Sequence, residues 1–390
     1  MGVELRPLGI KCNIMCQYCY QNPMRDAGNV ANHYDMSLMK AAIEQINQPF
    51  VLFGGEPLLM PIDDLEEILA FGLNKFGQNA CQTNGTLITD EHIRLFKKYR
   101  VKVGISADGP GEMNDTRWAG SLKKTRELSE KTHQAIEKLC LADMHPSVII
   151  TLHKANGSAD KLPRLAEWVH YLDDLGIEKV RLHILEIDSE ENRRLFAMTQ
   201  QENMAAYLFF NELEPSLKHI RFDVFDDMRR MLMGDDQQTG CVWNTCDPYT
   251  TMAVQGVEGF GQQSNCGRTN KDGIDFIKSG TPGYERQLAL YHVPQEHNGC
   301  QGCRFFMMCK GNCPGTGVGA DWRNRSEYCE VWKTLFTHFE GQLVDQGLQP
   351  LSLAANRLAI EQTLLSSWEQ GFPESVSSAV KRTGGQSCNV

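Results

Sequence analysis

Gly9-Ile10-Lys11-Cys12-Asn13-Ile14-Met15-Cys16-Gln17-Tyr18-Cys19-Tyr20 follows an apolar segment, Val3 to Leu8, that reads as a strand, so three thiols arrive in one short loop at a strand's carboxyl end. Three thiolates that close can wrap a single soft metal centre. A structural zinc site wants a fourth protein ligand, and so does an electron-transfer iron–sulfur cubane. The fourth is absent nearby, which leaves one metal position open.

Beyond this loop, strand-like runs recur at Phe50 to Phe53, Asn79 to Gln82, Val101 to Ser106, Ser147 to Leu152 and Lys179 to Leu185. Between them lie helical patterns at Asp35 to Gln45, Pro61 to Lys75, Asp90 to Tyr99, Ser121 to Leu141 and Lys161 to Leu175, with apolar residues three and four apart. Six strand–helix alternations imply parallel strands. Over this length they suit an open, partial barrel better than a closed eight-unit one, with a flavodoxin-like open sheet as the alternative. In either case the loops after the strands gather on one face, where ligands bind.

The chain has 390 residues, 41% of them hydrophobic, enough for two or three packed domains. Its longest apolar stretches, such as Pro49 to Phe53 and Pro146 to Leu152, fall far short of the roughly 20 residues a membrane span needs. The first residues lack the features of a signal peptide, and a cytoplasmic location is expected. A net charge of −10 without long runs argues against general affinity for nucleic acid or anionic membrane. Fourteen cysteines in a reducing compartment call for metal, catalysis or burial rather than disulfides.

The helical pattern breaks around Met233 to Gly240, and from Cys241 to Cys329 the chain is rich in Cys, Gly and Asn. Three regions are therefore expected: 1–235, a cysteine-rich 236–348 held by something other than an apolar core, and a helical tail 349–390. The middle region carries Cys300-x2-Cys303-x5-Cys309-x3-Cys313 and Cys329, with Cys241, Cys246 and Cys266 upstream. Eight thiols can close two four-cysteine sites, and two zinc sites are one reading of them. Cys81, Cys140 and Cys388 are left over, and buried or idle thiols are the default for these.

With its aromatic Tyr18, the C-x3-C-x2-C triplet resembles the signature of the radical S-adenosylmethionine (SAM) superfamily. The resemblance implies a partial (β/α)6 TIM barrel in which Cys12, Cys16 and Cys19 hold a [4Fe-4S] cluster. The open iron takes SAM, whose cleavage gives a 5′-deoxyadenosyl radical that removes a hydrogen atom from substrate. Gly54-Gly55-Glu56-Pro57 resembles the family's GGE motif, which implies contacts to the SAM amino group. Asn84 within Gln82-Thr83-Asn84-Gly85-Thr86, and Ser106 and Asp108 within Ser106-Ala107-Asp108-Gly109, fall where the family places contacts to SAM and substrate. Arg181 and His183 lie near the expected adenine and carboxylate cradle, though packed or solvated strand residues are an equal reading, as for His153. The downstream cysteines resemble a SPASM domain. That implies Cys241, Cys246, Cys266 and Cys313 on one auxiliary cluster and Cys300, Cys303, Cys309 and Cys329 on the second, three [4Fe-4S] clusters in all.

Enzymes with SPASM domains chiefly modify peptides or proteins. Anaerobic sulfatase-maturing enzymes resemble this chain in both cysteine patterns, but place an acid directly after the cysteine that Cys266 matches; here Gly267 follows, which counts against that activity. The stretches Leu5 to Ile10, Tyr20 to Asn29, Asp108 to Trp118 and Cys309 to Gly315 resemble the nif11-class peptide maturases. Some of these are spliceases, which excise tyramine from a Tyr-Gly site and leave an α-keto-β-amino acid. Many peptide maturases begin with a leader-recognition domain of roughly 80 residues, whereas here the first strand starts almost at Met1. A separate small leader-recognition protein is therefore expected, beside a precursor peptide and an electron donor such as flavodoxin or ferredoxin. Asp108, Glu186 and His183 are candidate acids or bases that need geometry to decide among them, and Arg117 and Trp118 either meet peptide or cap the next helix. A radical SAM enzyme acting on a small molecule and a zinc-stabilised interaction module are the competing functions.

Overall fold

The computed structural model describes residues 2–26, 31–270 and 279–384. Ala27, Gly28, Asn29 and Cys388, singled out above, lie outside the described residues. The chain divides into two compact units, one of residues 1–222 with 254–271, the other of 223–253 with 272–390.

The first unit is built on one sheet. Its strands are β1 (Gly2–Arg6), β2 (Phe50–Leu52), β3 (Asn79–Thr83), β4 (Val101–Ser106), β5 (Ser147–Leu152), β6 (Lys179–Ile184), β7 (Arg221–Phe222), β8 (Val254–Glu258) and β9 (Gln263–Asn265). They run in the order β7-β6-β5-β4-β3-β2-β1-β8-β9, parallel throughout except for β9 against β8. From β1 to β7 each strand pairs with the next in sequence. A flavodoxin-like sheet reverses its strand order after its first strands, whereas β1 to β7 here run without reversal, so their winding is that of a partial barrel.

Helices Met36–Ile46, Ile62–Phe76, Asp90–Lys98, Leu122–Leu141 and Leu162–Asp174 form within two residues of their expected bounds, because local signals set both ends. The Asp35 carboxylate accepts the Leu38 N–H at 3.0 Å, and Asn47 closes the same helix in the left-handed region. Its buried Met39, Ala42 and Ile43 recur at three- and four-residue steps.

The sequence reading missed β7, β8 and β9. Strand β8 alternates poorly and contains Gly256; what seats it is pairing with β1 over five residues and the buried Arg6, whose Nη2 donates to the Asn265 carbonyl at 2.7 Å and pairs with Glu258. The two-residue β7 is held from outside the sheet. The Asp173 carboxylate accepts the N–H groups of Lys218, His219 and Ile220, each at 2.8 Å.

The second unit contains helices Asp223–Leu232, Glu285–His292, Cys329–Asp345, Arg357–Glu369 and Val376–Arg382. It has an apolar core after all: Trp243 packs edge-on against Trp332 and Phe336, and Phe305 stacks on Phe336, with centroids 5.4 to 5.5 Å apart. Aromatic rings bury so much area each that a few of them stand in for a periodic apolar face, which is why periodicity did not show this core. Among the described residues no helix is long and apolar enough to cross a membrane.

Candidate functional site

In the first unit, the cysteine loop leaves β1 and is strapped to two other loops. Gly55 N–H donates to the Gly9 carbonyl at 2.9 Å and Glu56 N–H to the Lys11 carbonyl at 2.8 Å. These bonds draw the chain ahead of Cys12 so close to Gly54 and Gly55 that β-carbons there would lie 2.4 Å from the Gly9 oxygen and 2.2 Å from the Lys11 oxygen. The glycines are thus required by the approach of the cysteine loop itself. On its other side, Met15 N–H donates to the Trp118 carbonyl at 2.7 Å and Gln17 N–H to the Thr116 carbonyl at 2.9 Å.

A buried polar cluster fixes this second strap. Tyr18 donates its hydroxyl to Asp108 Oδ2, and Arg117 Nη1 donates to the Tyr18 oxygen at 3.0 Å. Asp108 Oδ1 accepts the Thr151 N–H at 3.0 Å, and His153 Nε2 stands 3.6 Å from Oδ2. Because His153 Nδ1 accepts the Ala155 N–H, its proton sits on Nε2, facing Asp108 and Thr116. Burial works to raise the Asp108 carboxyl, but hydrogen bonding from His153 and the Arg117 guanidinium outweigh it and hold the group below the usual carboxylate range. Arg117 therefore neither caps a helix nor stands open to solvent.

A cavity of about 170 Å³ opens beside the cysteine loop, walled by Cys12, Cys16 and Cys19 together with Gly54, Gly55, Asn84 and Ser106. Glu56, Pro57, Asp108 and Arg181 are not among its walls. Glu56 is only 1% exposed, and its carboxylate accepts the Thr83 hydroxyl and Asn84 N–H at 2.8 Å and the Leu58 N–H at 3.0 Å. Asp108 is fully buried in the cluster above, and Arg181 is exposed on β6.

The cavity wall also includes Arg25, which the sequence did not nominate. Arg25, from the short helix Asn22–Asp26, donates from Nη2 to Cys19 Sγ at 3.2 Å, and the Asn84 amide lies 3.8 Å from Cys12 Sγ. Burial pushes the Cys16 thiol up to about 12, against the pull of Arg117. Tyr20, His183 and Glu186 also line the cavity. Arg268 Nε pairs with Glu186 at 2.5 Å and its Nη2 meets His183 Nε2 at 2.9 Å. Burial and then the Arg268 charge lower His183 below the ordinary histidine value. A β-carbon on the preceding Gly267 would lie 2.9 Å from the Tyr20 hydroxyl, so a side chain there would require Tyr20 to shift. Cys266, in the same unit, lies 3.6 Å from the Thr269 hydroxyl.

In the second unit, Cys300, Cys303, Cys309 and Cys329 line one small enclosed cavity with Phe305, Trp332 and Phe336. Arg325 Nη1 donates to Cys329 Sγ at 3.3 Å. Cys246 lies within electrostatic reach of Cys241 and Cys313, a separate group in that unit. Burial raises free Cys246 and Cys300 thiols to about 12. Among the described residues, no three His, Cys, Asp or Glu side chains converge closely enough for a single metal ion. Soft thiols spaced around a cavity fit a polynuclear iron–sulfur cluster, in both the loop and the cage. Cys81 is core on β3, and Cys140 lies half-buried on its helix.

Residues 7–169 match the radical SAM superfamily. The serine-type anaerobic sulfatase-maturating enzyme of Bacteroides thetaiotaomicron is 35% identical over 126 residues, 29% of this chain and 30% of that protein. The cysteine-type enzyme of Clostridium perfringens strain 13 is 22% identical over 395 residues, 88% of this chain and 98% of that one. Among solved structures, native anSMEcpe with bound AdoMet and Cp18Cys peptide superposes with a TM-score of 0.67 at 18% identity, covering 88% of this chain and 98% of that one. Streptococcus suis SuiB bound to precursor peptide SuiA gives 0.53 at 11% identity, over 84% and 75%. At such identities the superpositions speak for the fold alone. The triplet loop on β1, the cavity it opens on and the matched segment agree: residues 7–169 carry a radical SAM domain, and the chain is an enzyme.

Proposed function

We propose that this enzyme abstracts a hydrogen atom from a residue of a peptide or protein substrate and leaves that residue covalently modified. The observation that carries the reading is that Cys12, Cys16 and Cys19 open onto the same cavity as Gly54, Gly55, Asn84 and Ser106. Cys12, Cys16 and Cys19 would hold a [4Fe-4S] cluster, and the cavity beside them would take SAM. Bound there, the pair supplies a 5′-deoxyadenosyl radical. Arg25 and Asn84 lend hydrogen bonds to the ligating sulfurs, while the Tyr18–Asp108–Arg117 cluster holds their loop. Asp108 is sealed from the cavity, so of the candidate acids and bases Glu186 and His183, both on the cavity wall beside Arg268, would be the groups to take a proton. Two further clusters, on Cys241, Cys246, Cys266 and Cys313 and on Cys300, Cys303, Cys309 and Cys329, would take the electron that an oxidised product leaves behind.

The near full-length similarity to sulfatase-maturating enzymes supports a peptide substrate and admits oxidation of a Ser or Cys side chain. Gly267, standing where sulfatase maturation places an acid, counts against that oxidation and keeps a second reading, excision of tyramine at a Tyr-Gly site, which rests on the resemblance to the nif11-class maturases. A precursor peptide, a separate leader-recognition protein and a flavodoxin or ferredoxin complete the proposal.

Anaerobic reconstitution with iron and sulfide tests it. About twelve irons per chain are expected from three four-iron clusters, with 5′-deoxyadenosine formed only when peptide and reductant are both present. Mass spectrometry of candidate peptides expressed with the enzyme then separates oxidation from loss of tyramine. Protein that binds only zinc and leaves SAM intact would overturn the reading, and turnover without any peptide would point to a small-molecule substrate.

A further inference from the structure

Arg286, at the start of helix Glu285–His292 in the second unit, is 2% exposed. Every hydrogen bond of its guanidinium goes to a backbone carbonyl: Nε to Trp322 at 2.7 Å, Nη1 to Cys246 at 3.3 Å, and Nη2 to Asn324 at 3.0 Å and Gly311 at 3.4 Å. Carbonyl dipoles solvate a cation without cancelling its charge. Asp247, an acid in its field, already accepts the backbone N–H groups of Tyr249, Thr250 and Arg286 itself at 2.9 to 3.2 Å.

An arginine stays charged in any protein setting, and an uncompensated buried charge costs several kcal/mol. Its field also holds thiols of both cysteine groups: Cys246 and Cys313 from one, Cys300 from the other. As cluster ligands these become anions, and the charge deficit closes.

We propose that Arg286 is the shared counter-cation of two iron–sulfur clusters, one on the Cys241, Cys246 and Cys313 group and one on the Cys300, Cys303, Cys309 and Cys329 group, and that it raises the reduction potential of both. This rests on the cluster reading above. A fixed positive charge favours the state with one more electron, and net charge near a cluster is one of the levers that sets its potential. Arg286 is a positioning residue, touching the polypeptide that carries the ligands rather than any reacting atom.

The test uses the full-length reconstituted enzyme, titrated with dithionite and followed by electron paramagnetic resonance, each auxiliary cluster taking one electron. At the potential where each cluster is half reduced in the wild type, Arg286→Gln is expected to lower the ratio of reduced to oxidised cluster at least tenfold at both sites, about 59 mV for one electron. Arg286→Lys, which keeps the charge, is expected to stay within about threefold of the wild type, on the same scale. Asp247→Asn removes the opposing acid and should raise the ratio. An iron-replete Arg286→Gln protein with unchanged ratios, or a shift confined to one cluster, overturns the proposal. If Arg286→Gln fails to load iron, absence of a rise in Asp247→Asn overturns it instead. A wild type that carries no iron at these cysteines overturns the cluster reading itself, before any variant is compared.

Discussion

Replacing Gly55 by alanine separates two explanations of the Gly54-Gly55 pair. A β-carbon there would lie 2.2 Å from the Lys11 carbonyl oxygen and 2.4 Å from that of Ile10, and both are backbone atoms that cannot swing aside. Relief requires segment 9–11 to retreat, which breaks the Gly55–Gly9 and Glu56–Lys11 hydrogen bonds. At about 1 kcal/mol for each bond and about 1 to 3 kcal/mol for overpacking, the substitution is expected to cost about 3 to 5 kcal/mol, a large share of the 5 to 15 kcal/mol typical of a domain. Cys12 follows Lys11 directly, so the same retreat spoils the triplet. Anaerobically reconstituted Gly55→Ala should therefore hold about eight irons per chain in place of about twelve, the cysteine cage of the second unit being untouched. Gly77→Ala is the control: it has a positive φ, +72°, which Gly55 lacks, but meets no atom within 4 Å, and should cost about 1 to 2 kcal/mol with no loss of iron. Iron assay and urea unfolding read both quantities. If Gly55→Ala keeps its full iron and matches the control in stability, losing only SAM affinity, the glycines serve ligand approach and the strap argument is refuted.

Glu56→Gln removes one of the two acceptor oxygens that serve Asn84, Leu58 and Thr83, leaving a buried donor unpaired at about 1 to 3 kcal/mol; an unchanged urea midpoint would contradict this. Arg268→Met strips the guanidinium from the buried Glu186 carboxylate, which is expected to cost about 3 to 5 kcal/mol near neutral pH. Loss of that cation raises the folded-state pKa of the buried carboxyl, which keeps His183 Nε2 at 3.4 Å, so stability is fully present below the unfolded value and lost as pH rises. The variant should therefore be less penalised at about pH 5 than at about pH 8, and a penalty independent of pH would count against the pairing. At Asp173 the sign is opposite: burial raises the carboxyl, but the backbone N–H groups of Ile220, Lys218 and His219 outweigh it and hold it below the usual range. Its contribution is present above the unfolded value of about 3.9 and fades as pH falls through the folded one. Asp173→Asn should cost about 1 to 3 kcal/mol near neutral pH, with the gap to wild type narrowing on acidification in parallel urea titrations.

The sheet as far as β6 and its helices were legible because each element declares itself locally, by apolar period and by caps such as Asp35 and Ser121. Strands β7 to β9 were not, since their places depend on partners far along the chain: Asp173 for β7, and Arg6 for β8 and β9. The cysteines of the candidate site were legible by spacing. Arg25 and Arg268 were not, for an arginine that reaches a thiol or a carboxylate across a cavity leaves no periodic or compositional trace. Position 268 nonetheless follows the glycine that the sequence had already marked as a departure from sulfatase-maturating enzymes.

The motifs that identify the family were read as contacts to a cofactor, and in this structure much of what they do is hold one another. Glu56 ties the loop after β2 to Asn84 after β3. Asp108, after β4, anchors Tyr18 between two of the cysteines, and the backbone of Thr116 and Trp118 grips Gln17 and Met15. A centre with one open metal position cannot take its geometry from a fourth protein ligand, so the three thiols must be positioned by their own loop. That loop is short and carries little apolar surface, and rigidity has to come from the loops after β2, β3 and β4. The chemistry of an open coordination site and the density of buried polar residues around Cys12, Cys16 and Cys19 are therefore two consequences of one requirement.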